Sequence, residues 1–448
     1  MRSDNGSTTN KKSRRTMTKR IVFIGAAGEM CRVAIERFAK AGGDWKLELC
    51  DIRPETLESL ARSLPAGRAT TRRLDLFDRT DLRKVVDGAA LVVLGAGPYI
   101  RTSEPVIEAC LEAKAPYLDF DDDVESTEAA LALHDRARKA GVPILLGCGA
   151  SPGLTNVMTA DAARDLDTVE RIDVCWVTGD ERPHPYGRAV LEHAVHIAAG
   201  PCVTWEHGQR VMHETFVETD VLPLGNTLGD FRLYESAHPE AVTMPRRWPD
   251  AQRIRVLGSL DPQPVNGILR GIGVAVQKGA MTMEEAIDFL DDIMTDGRGN
   301  AKGWRHALAG IWGQVRRGEV GRGEVLRYLA DGLRRKHYTY RGINYTRLTG
   351  TRDGQRVVSV RRLPVSGPGT FVTSMAAMTG AATAAFMMLA LDGLGGLAGV
   401  LAPEDWADPE AFYAKLELTG AQPHEIVESV VTPSSAVSRP APVAATGA

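Results

Sequence analysis

The sequence has almost no excess charge and few cysteines, and each shortage excludes a class of protein. The formal net charge is −3 over 448 residues, which disfavours a nucleic-acid or membrane-surface role for the folded part. The six cysteines lie far apart and include no C-x-x-C pair, a usage typical of reduced cytoplasmic proteins. The length suffices for two or three domains with cores of their own. We therefore expect a cytoplasmic globular protein that binds neither nucleic acid nor membranes.

Both ends lack the apolar residues that folding or targeting requires. Residues 1–18 are polar and basic, so we expect them to form neither a secretory signal nor a membrane anchor. From Val430 onward Ser, Pro and Ala dominate, and such a mixture cannot bury enough surface to fold. We expect disordered tails at 1–18 and 430–448, with either Met1 or Met17 as the start.

Residues 20–39 predict a strand, a tight turn and a helix. β-branched and aromatic residues stop at Gly25, and an apolar pattern of helical period begins directly after Gly28. Small residues in such a turn let the backbone approach a pyrophosphate, and the helix start attracts its charge. A turn without any ligand has similar residues, because Ala27 and Met30 replace two glycines of the G-x-G-x-x-G pattern. The candidates for cofactor binding here are Gly25, Ala26, Ala27, Gly28, Glu29 and Met30.

Strand and helix signals alternate through residues 19–150 and predict six strands in a parallel, doubly wound sheet. Asp51 ends the second strand about 20 to 26 residues after the glycines, where an acid binds the adenosine ribose and repels a 2′-phosphate. Capping before Pro54 is the alternative role for Asp51. We expect NAD as the cofactor, with NADP possible because the Arg53 guanidinium can bind that phosphate. Asp75 ends the third strand, where it meets the adenine edge or caps the next helix.

Several phrases further along the chain carry a specific resemblance. They are Gly95-Ala96-Gly97-Pro98-Tyr99, Glu104-Pro105-Val106-Ile107-Glu108-Ala109-Cys110, Tyr117-Leu118-Asp119, Gly147-Cys148-Gly149-Ala150-Ser151-Pro152-Gly153-Leu154-Thr155-Asn156, His238-Pro239-Glu240, Thr379-Gly380 and Gly399-Val400-Leu401-Ala402-Pro403-Glu404. Together they resemble the saccharopine dehydrogenase family, in its saccharopine reductase-like form. The resemblance implies an N-terminal Rossmann domain, a second α+β domain for substrate contacts and dimerisation, and a C-terminal helical segment that returns to the first domain. It also implies nicotinamide-dependent chemistry at a C–N bond.

The loop after the fourth strand extends the cofactor site. Its glycines allow the backbone to approach a ligand closely, so Gly95, Ala96, Gly97 and Pro98 join the cofactor-binding candidates. Tyr99 can stack on a ligand or donate its hydroxyl hydrogen, and packing beside a rigid Gly-Pro turn is its structural alternative.

Four carboxylates crowd the end of the fifth strand, namely Asp119, Asp121, Asp122 and Asp123. Crowded carboxylates raise one another's pKa, which suits a general acid or base. For Asp122 and Asp123 we favour capping of the following helix, since Glu125 and the residues before it have the form of a helix start. Asp119 and Tyr99 are therefore the catalytic candidates.

Three further residues are candidates for substrate binding. Ser151 and Pro152 open a helix, whose start either is simply capped or binds an anion, with Asn156 one turn in. Arg246 can pair with a substrate carboxylate, although a surface salt bridge is the alternative. His193 and His196 share a helix face, but no suitably spaced third ligand completes a metal site, and we expect them to be buried or capping residues. We predict no metal.

The remaining signals divide the chain into a Rossmann domain at 19–150, a substrate and dimerisation domain at 151–365, and a C-terminal helical segment at 366–429. Strand signals in the second domain lie near residues 171–177, 210–216, 251–257 and 355–360. Residues 371–391 are apolar and uncharged, so they form either a membrane span or a core helix. The family resemblance favours the core helix.

We therefore expect an NAD(P)-dependent oxidoreductase that reduces an imine or oxidises an amine. Its substrate would carry amine and carboxylate groups, derived from an amino acid or a polyamine, and the enzyme would be a homodimer. Two alternatives stay open: a non-catalytic sensor of the nicotinamide redox state, and an enzyme similar to enoyl reductases, which would need an apolar second domain.

Overall fold

The computed structural model describes residues 20–225, 228–295, 297–363 and 366–433. The predicted tail at 1–18 and most of that at 430–448 lie outside these ranges. Within them the strands are β1 (Arg20–Ile24), β2 (Lys46–Asp51), β3 (Ala69–Arg73), β4 (Leu91–Leu94), β5 (Tyr117–Asp119), β6 (Pro143–Leu145), β7 (Thr168–Gly179), β8 (Pro201–Glu206), β9 (Gln209–Glu214), β10 (Thr219–Gly225), β11 (Gly229–Glu235), β12 (Arg253–Asp261), β13 (Ile343–Arg352), β14 (Gln355–Arg362), β15 (Gly399–Leu401) and β16 (Glu428–Pro433).

The described residues also form helices throughout the chain. They are α1 (Glu29–Ala41), α2 (Pro54–Ser63), α3 (Arg79–Val86), α4 (Tyr99–Ala113), α5 (Val124–Leu131), α6 (His134–Ala140), α7 (Leu154–Ala163), α8 (Arg188–Ala199), α9 (Glu240–Thr243), α10 (Pro264–Gln277), α11 (Met283–Thr295), α12 (Ala301–Arg316), α13 (Arg322–Leu333), α14 (Met375–Gly393), α15 (Pro403–Trp406) and α16 (Pro409–Leu418). Short 3-10 turns lie at Met244–Arg246, Leu394–Gly396 and Pro423–Glu425.

The first sheet is parallel and has the strand order β15-β6-β5-β4-β1-β2-β3. Its central strands are apolar on both faces, because helices cover both sides and Ile21, Val22 and Phe23 are all fully buried. The chain runs from β1 outward to β3, then returns to β4 and runs the other way. This reversal opens a crevice at the carboxyl ends of β1 and β4, where such sheets bind dinucleotides. The predicted Rossmann fold is confirmed, with a seventh strand from the C-terminal segment.

The second sheet is mixed, with the order β10-β11-β12-β7-β13-β14-β16 and the β8–β9 hairpin attached to β12. The predicted strands correspond to β7, β9, β12 and β14, while β8, β10, β11, β13 and β16 were not predicted. Helices α8 and α10 to α13 form a layer with its own apolar cluster, which includes Ile272, Phe289 and Ile311. The predicted second α+β domain is confirmed as a fold.

The C-terminal segment returns to the first domain, as the family resemblance implies. Strand β15 pairs with β6, and a Cβ on Gly380 of α14 would lie 2.5 Å from the Val33 Cβ of α1. By length and composition alone 375–396 could cross a membrane, but 72 % of its most apolar window is buried inside the structure. One expectation for this segment is wrong: residues 430–433 are not a disordered tail, because they end β16, which pairs with β14.

Candidate active site at the interdomain cleft

The turn after β1 has the geometry of a dinucleotide-binding turn. Gly25 has φ +84°, and a Cβ there would lie 2.5 Å from the Ala96 amide nitrogen, so only glycine fits without displacing the neighbouring loop. Gly28 immediately precedes α1. The amides of the first helical turn lack partners within their helix, which leaves them available to a pyrophosphate at the carboxyl edge of the sheet.

Asp51 is tied to this turn. It is buried, its Oδ2 accepts from the Ala27 amide at 3.0 Å, and its Oδ1 accepts from the Arg53 amide at 3.0 Å. A carboxylate has further lone pairs, so Asp51 can still accept from a ribose hydroxyl. The Arg53 side chain is mostly exposed, with its Nε 3.5 Å from Asp51 Oδ1. Asp75 accepts from the Phe77 amide and is exposed, a turn-forming bond.

The loop after β4 packs between the first domain and helix α8 of the second domain. A Cβ on Gly95 would lie 2.8 Å from the Cys31 sulfur, and one on Gly97 would lie 3.2 Å from the Cβ of Ala189 in the second domain. Tyr99 follows this loop and packs edge-on against Phe120, with ring centroids 5.9 Å apart. The loop therefore brings the cofactor-binding candidates of the first domain against α8.

The buried Tyr99 hydroxyl has no hydrogen-bond partner within the described residues. Burial, with the carboxylates of Asp119 and Asp122 nearby, raises its pKa well above the ordinary value, so it remains a hydrogen-bond donor. A buried polar atom without a partner is costly, and a polar ligand group at the end of β4 would remove that cost. Together with the Gly25 turn and Asp51, this hydroxyl fits a dinucleotide.

Asp119 is fully buried and accepts three internal hydrogen bonds. Its Oδ2 accepts from the Tyr117 hydroxyl at 2.8 Å, and its Oδ1 accepts from the amides of Gly147 at 2.7 Å and Asp121 at 3.2 Å. Burial raises its pKa to about 6, although these hydrogen bonds oppose the shift. The contacts join the ends of β5 and β6. They favour an anchoring role, and proton handling by Asp119 stays a prediction.

The two following carboxylates bind a histidine of the second domain. His193 Nδ1 lies 2.9 Å from Asp123 Oδ1, and His193 Nε2 lies 3.2 Å from Asp122 Oδ2. Burial alone would lower the pKa of His193, but the carboxylates outweigh it and raise that pKa to about 9. The predicted capping role is wrong for Asp123, because it precedes α5 without any side-chain cap bond and instead accepts from the Ile100 amide.

These three side chains can also be considered as metal ligands. Their ligand atoms lie within 4.8 Å of one another, so acids distant in sequence approach His193 where we expected none. Both ring nitrogens are already paired with carboxylates, which is the arrangement of a protonated imidazole. An ion pair therefore accounts for the cluster, and the absence of a metal stays a prediction.

A second histidine lies beside the first. The His238 ring is 6.0 Å from the His193 ring, edge-on, and 5.6 Å from the Trp176 ring. His238 Nδ1 lies 3.3 Å from Oε2 of Glu240, and both residues are buried. Burial raises the pKa of Glu240, but His238 and other hydrogen-bond donors outweigh it and leave that pKa lowered. Glu240 is therefore a charged carboxylate inside the protein.

The interdomain cleft is the region where α8 faces the carboxyl ends of β4 and β5. Further ion pairs join the two domains around it. His196 Nε2 lies 3.1 Å from Glu125 Oε2, and Arg101 makes two hydrogen bonds to Glu192 at 2.8 and 2.9 Å. Helix α8 thus contacts the first domain along its length, and its histidines are interdomain residues.

Each of the predicted substrate-binding residues is paired with another side chain of the protein. Ser151 donates to Glu240 Oε1. Asn156 is fully buried, donates to Glu404 Oε2 at 2.7 Å and accepts from the Gly153 amide. Arg246 pairs with Asp405 at 3.3 Å and keeps about a third of its side chain exposed. The expected helix start at Ser151 is wrong, because α7 begins at Leu154.

Three buried or half-buried residues beside the contact between the two domains, His193, His238 and Glu240, were not among the predicted site residues. His193 was expected to be a buried or capping histidine, while His238 and Glu240 entered only as part of the family phrase. The family resemblance includes residues 238–240, which are far in sequence from the first domain. That part of the resemblance was the signal that could have identified His238 and Glu240 as site residues.

A parallel sheet with a tight first turn, an acid at the end of β2 and a second domain against its carboxyl edge defines a Rossmann-type dinucleotide-binding protein. Residues 21–145 match the family model described as the saccharopine dehydrogenase NADP-binding domain. The resemblance expected from the sequence is thereby confirmed, and the first domain is an NAD(P)-binding domain of the saccharopine dehydrogenase type.

Proteins of other organisms are similar in sequence to parts of this chain. A carboxyaminopropylagmatine dehydrogenase of Synechocystis is 30 % identical over 162 residues, 34 % of this chain and 40 % of that protein. A carboxynorspermidine synthase of Vibrio cholerae is 25 % identical over 269 residues, 54 % of this chain and 63 % of that protein. A trans-acting enoyl reductase of Mycobacterium tuberculosis is 28 % identical over 133 residues, 29 % of this chain and 32 % of that protein. The matched stretches thus cover less than two thirds of each relative.

The solved structures extend the likeness to the whole fold. An apo saccharopine dehydrogenase (L-Glu forming) of Saccharomyces cerevisiae superposes with a TM-score of 0.59 over 92 % of this chain and 99 % of that chain. The sequence identity is 15 %, so the match shows the fold alone. It includes the second domain and the returning C-terminal segment.

Proposed function

We propose that the protein is an NAD(P)-dependent oxidoreductase that acts on a C–N bond, by imine reduction or amine oxidation. Its substrate would be derived from an amino acid or a polyamine and carry amine and carboxylate groups. We further propose that it works in the cytoplasm as a homodimer. The names of two relatives, a carboxyaminopropylagmatine dehydrogenase and a carboxynorspermidine synthase, support this substrate class.

One observation carries the proposal: ionisable side chains of the second domain meet the carboxyl ends of β4 and β5. His193 contacts Asp122 and Asp123, and His238 lies against His193. The nicotinamide supplies hydride when bound, and hydride transfer at a C–N bond also needs proton transfer in a site that excludes water. Buried imidazoles and carboxylates beside the cofactor-binding loop meet that need.

We assign the cofactor to the Gly25–Met30 turn, Asp51 and the Gly95–Pro98 loop, with the Tyr99 hydroxyl as a donor to its reacting end. The position of Asp51 favours NAD, because a buried carboxylate at the ribose repels a 2′-phosphate. Arg246 is our candidate for a substrate carboxylate, since its guanidinium is partly exposed. Ser151 and Asn156 would affect substrate binding indirectly, because they position Glu240 and Glu404.

The two alternatives have less support. An enoyl reductase would need an apolar wall for an acyl chain, whereas the cleft carries His193, His238 and Glu240. The similarity to enoyl reductases also covers only 29 % of the chain. A redox sensor has no need for ionisable groups that face the reacting end of the cofactor.

The first test is titration of the purified protein with NADH and NADPH, followed by fluorescence. We expect NADH to bind more tightly and Asp51→Ala to remove that preference, because the carboxylate no longer repels a 2′-phosphate. Asp75→Ala is the matched control, since Asp75 is exposed at the neighbouring strand end, and it should leave the ratio of the two affinities unchanged. If neither dinucleotide binds, the proposal that the protein is an NAD(P)-dependent enzyme is wrong.

The second step supplies NAD⁺ or NADP⁺ with saccharopine, carboxynorspermidine and carboxyaminopropylagmatine in turn. Reduction of the dinucleotide by one of these secondary amines supports the proposal. If the protein binds dinucleotide yet oxidises none of them and reduces no imine formed from an amine and a keto acid or aldehyde, the proposal is wrong.

A further inference from the structure

The Glu240 carboxylate is saturated with hydrogen bonds inside the protein. Its Oε1 accepts from the hydroxyls of Ser151 at 2.5 Å and Thr155 at 3.1 Å, and its Oε2 faces His238 Nδ1 at 3.3 Å. Burial of a charged carboxylate is tolerated only with such partners. The two hydroxyls hold Oε1 in place. The position of Oε2 relative to His238 is therefore fixed as well.

This arrangement fixes the proton on the His238 ring. Because Glu240 is charged, the nitrogen that faces it must carry a hydrogen, and Nδ1 therefore donates. The Nε2 atom is separated from Nδ1 by one ring carbon, so its own hydrogen or lone pair is directed away from Glu240. A carboxylate that orients a histidine in this way makes the second nitrogen a proton donor or acceptor of fixed direction.

The groups around the His238 ring belong to the cleft. Trp176 of β7 and His193 of α8 pack against it. Burial raises the pKa of Asp122 in the first domain, and the charges of His193 and His238 oppose that shift. The charged groups that face His238 are thus Glu240, His193 and Asp122.

We infer that His238 is the catalytic residue that transfers the proton at the reacting nitrogen, and that Glu240 is its positioning residue. The inference rests on the proposed function and deepens it. In imine reduction the imine carbon gains hydride from the reduced nicotinamide, and the C=N π pair becomes a lone pair on nitrogen. That nitrogen takes the proton from His238 Nε2, and the imidazole is left neutral. In amine oxidation the neutral Nε2 takes the nitrogen's proton, and hydride leaves the carbon for the oxidised nicotinamide.

The other ionisable groups of the cleft are less suited to this step. Both nitrogens of His193 are paired with carboxylates, and the Asp119 oxygens accept three internal hydrogen bonds. The raised pKa of Tyr99 keeps its hydroxyl protonated, so it can orient a ligand but not cycle a proton readily.

The test compares His238→Gln with His213→Gln in the full chain. His213 makes the same kind of Nδ1 contact with a buried glutamate, Glu235, at 2.7 Å, so it controls for loss of a Glu–His pair. With NAD⁺ or NADP⁺ and the three secondary amines named above, we expect kcat of His238→Gln to fall by about 10²- to 10⁴-fold with little change in KM. His213→Gln should stay near wild type. Added imidazole should restore part of the turnover of His238→Ala.

A second readout does not depend on turnover. In protein labelled with ¹⁵N-histidine, NMR should show a protected Nδ1–H signal of His238 that is lost in Glu240→Gln and kept in Glu235→Gln. Addition of NADH or NADPH should shift the His238 signals and leave those of His213 in place. This readout also reveals whether His238→Gln folds, because the remaining histidine signals must persist.

The two proposals fail in different ways. If wild type oxidises one of the amines and His238→Gln keeps its kcat, the inference is wrong while the proposed function stands. If the dinucleotide leaves the His238 signals unmoved, the inference is also wrong. If wild type binds dinucleotide but catalyses no C–N reaction, the proposed function fails and the assignment of His238 fails with it.

Discussion

Two Glu–His pairs, Glu235–His213 and Glu240–His238, have glutamates that lie close together in sequence, and the pairs differ mainly in what surrounds them. Glu235 and Glu240 are both fully buried, and each accepts from a threonine hydroxyl on one oxygen while the other faces a histidine Nδ1. The described charged partners of the Glu235 pair, among them Arg253, belong to the second domain. The Glu240 pair instead contacts the cleft. The fold thus contains two buried glutamates that each face a histidine, and we propose a catalytic role only for the pair whose histidine packs against His193 near the first domain.

The largest expected difference between the pairs lies in turnover. Glu240→Gln removes the charge that holds His238 in one tautomer, so we expect kcat to fall by about 10²-fold with KM nearly unchanged. Glu235→Gln removes the same charge from the other pair and should leave kcat near wild type. Steady-state kinetics on both variants checks this. Equal losses of kcat would mean that both substitutions act through folding.

The second largest expected effect is a loss of stability when either glutamate loses its threonine hydrogen bond. Thr204→Val removes the donor to Glu235 Oε1, which lies at 2.6 Å, and should cost about 1.5–3 kcal/mol of the free energy of unfolding. Thr155→Val should cost less, about 1 kcal/mol, because Ser151 still donates to Glu240. Urea unfolding followed by circular dichroism measures both.

Thr168→Val is the control for these two variants. Thr168 bonds Thr351 on the exposed surface, so the substitution should change the free energy of unfolding by less than about 0.5 kcal/mol. A loss for Thr155→Val as large as that for Thr204→Val would show that the Ser151 hydroxyl does not support Glu240.

The first domain was predictable because its signals are local. Each strand of the parallel sheet reads as a short apolar run between turn residues, and an acid after such a run must lie at the carboxyl edge. Asp51 and the Gly95–Pro98 loop accordingly lie at the edge of the sheet, as predicted. The capping of α5 was not predictable in this way, because Asp123 pairs with His193 of the other domain and not with the amides of α5.

The second domain and its side of the cleft were less predictable because their contacts are distant in sequence. The central strand β13 mixes Arg, Thr and Gly with apolar residues, so its alternation is weak although it is largely buried. His193 meets Asp122 and Asp123 only because α8 docks on the first domain. No spacing within either segment encodes that contact, and the same holds for Glu404 and Asn156.

The smallest expected difference concerns the pH dependence of stability, and its sign differs between the two pairs. The Glu235 hydrogen bond raises the pKa of His213, so this pair stabilises the fold fully below the unfolded histidine pKa, about 6.5, and loses that contribution as the pH rises through the folded pKa. The pKa of Glu240 is lowered, so its contribution is present above the unfolded glutamate pKa, about 4.3, and is lost as the pH falls through the folded pKa. Urea unfolding of wild type, His213→Gln and Glu240→Gln, measured from below about pH 4.3 to above about pH 6.5, should therefore show two differences. The stability deficit of His213→Gln relative to wild type disappears at the alkaline end, and that of Glu240→Gln disappears at the acid end. If both deficits vanished on the same side, one of the two glutamates would not be the charged partner of its histidine, and the two pairs would not be equivalent devices in different places.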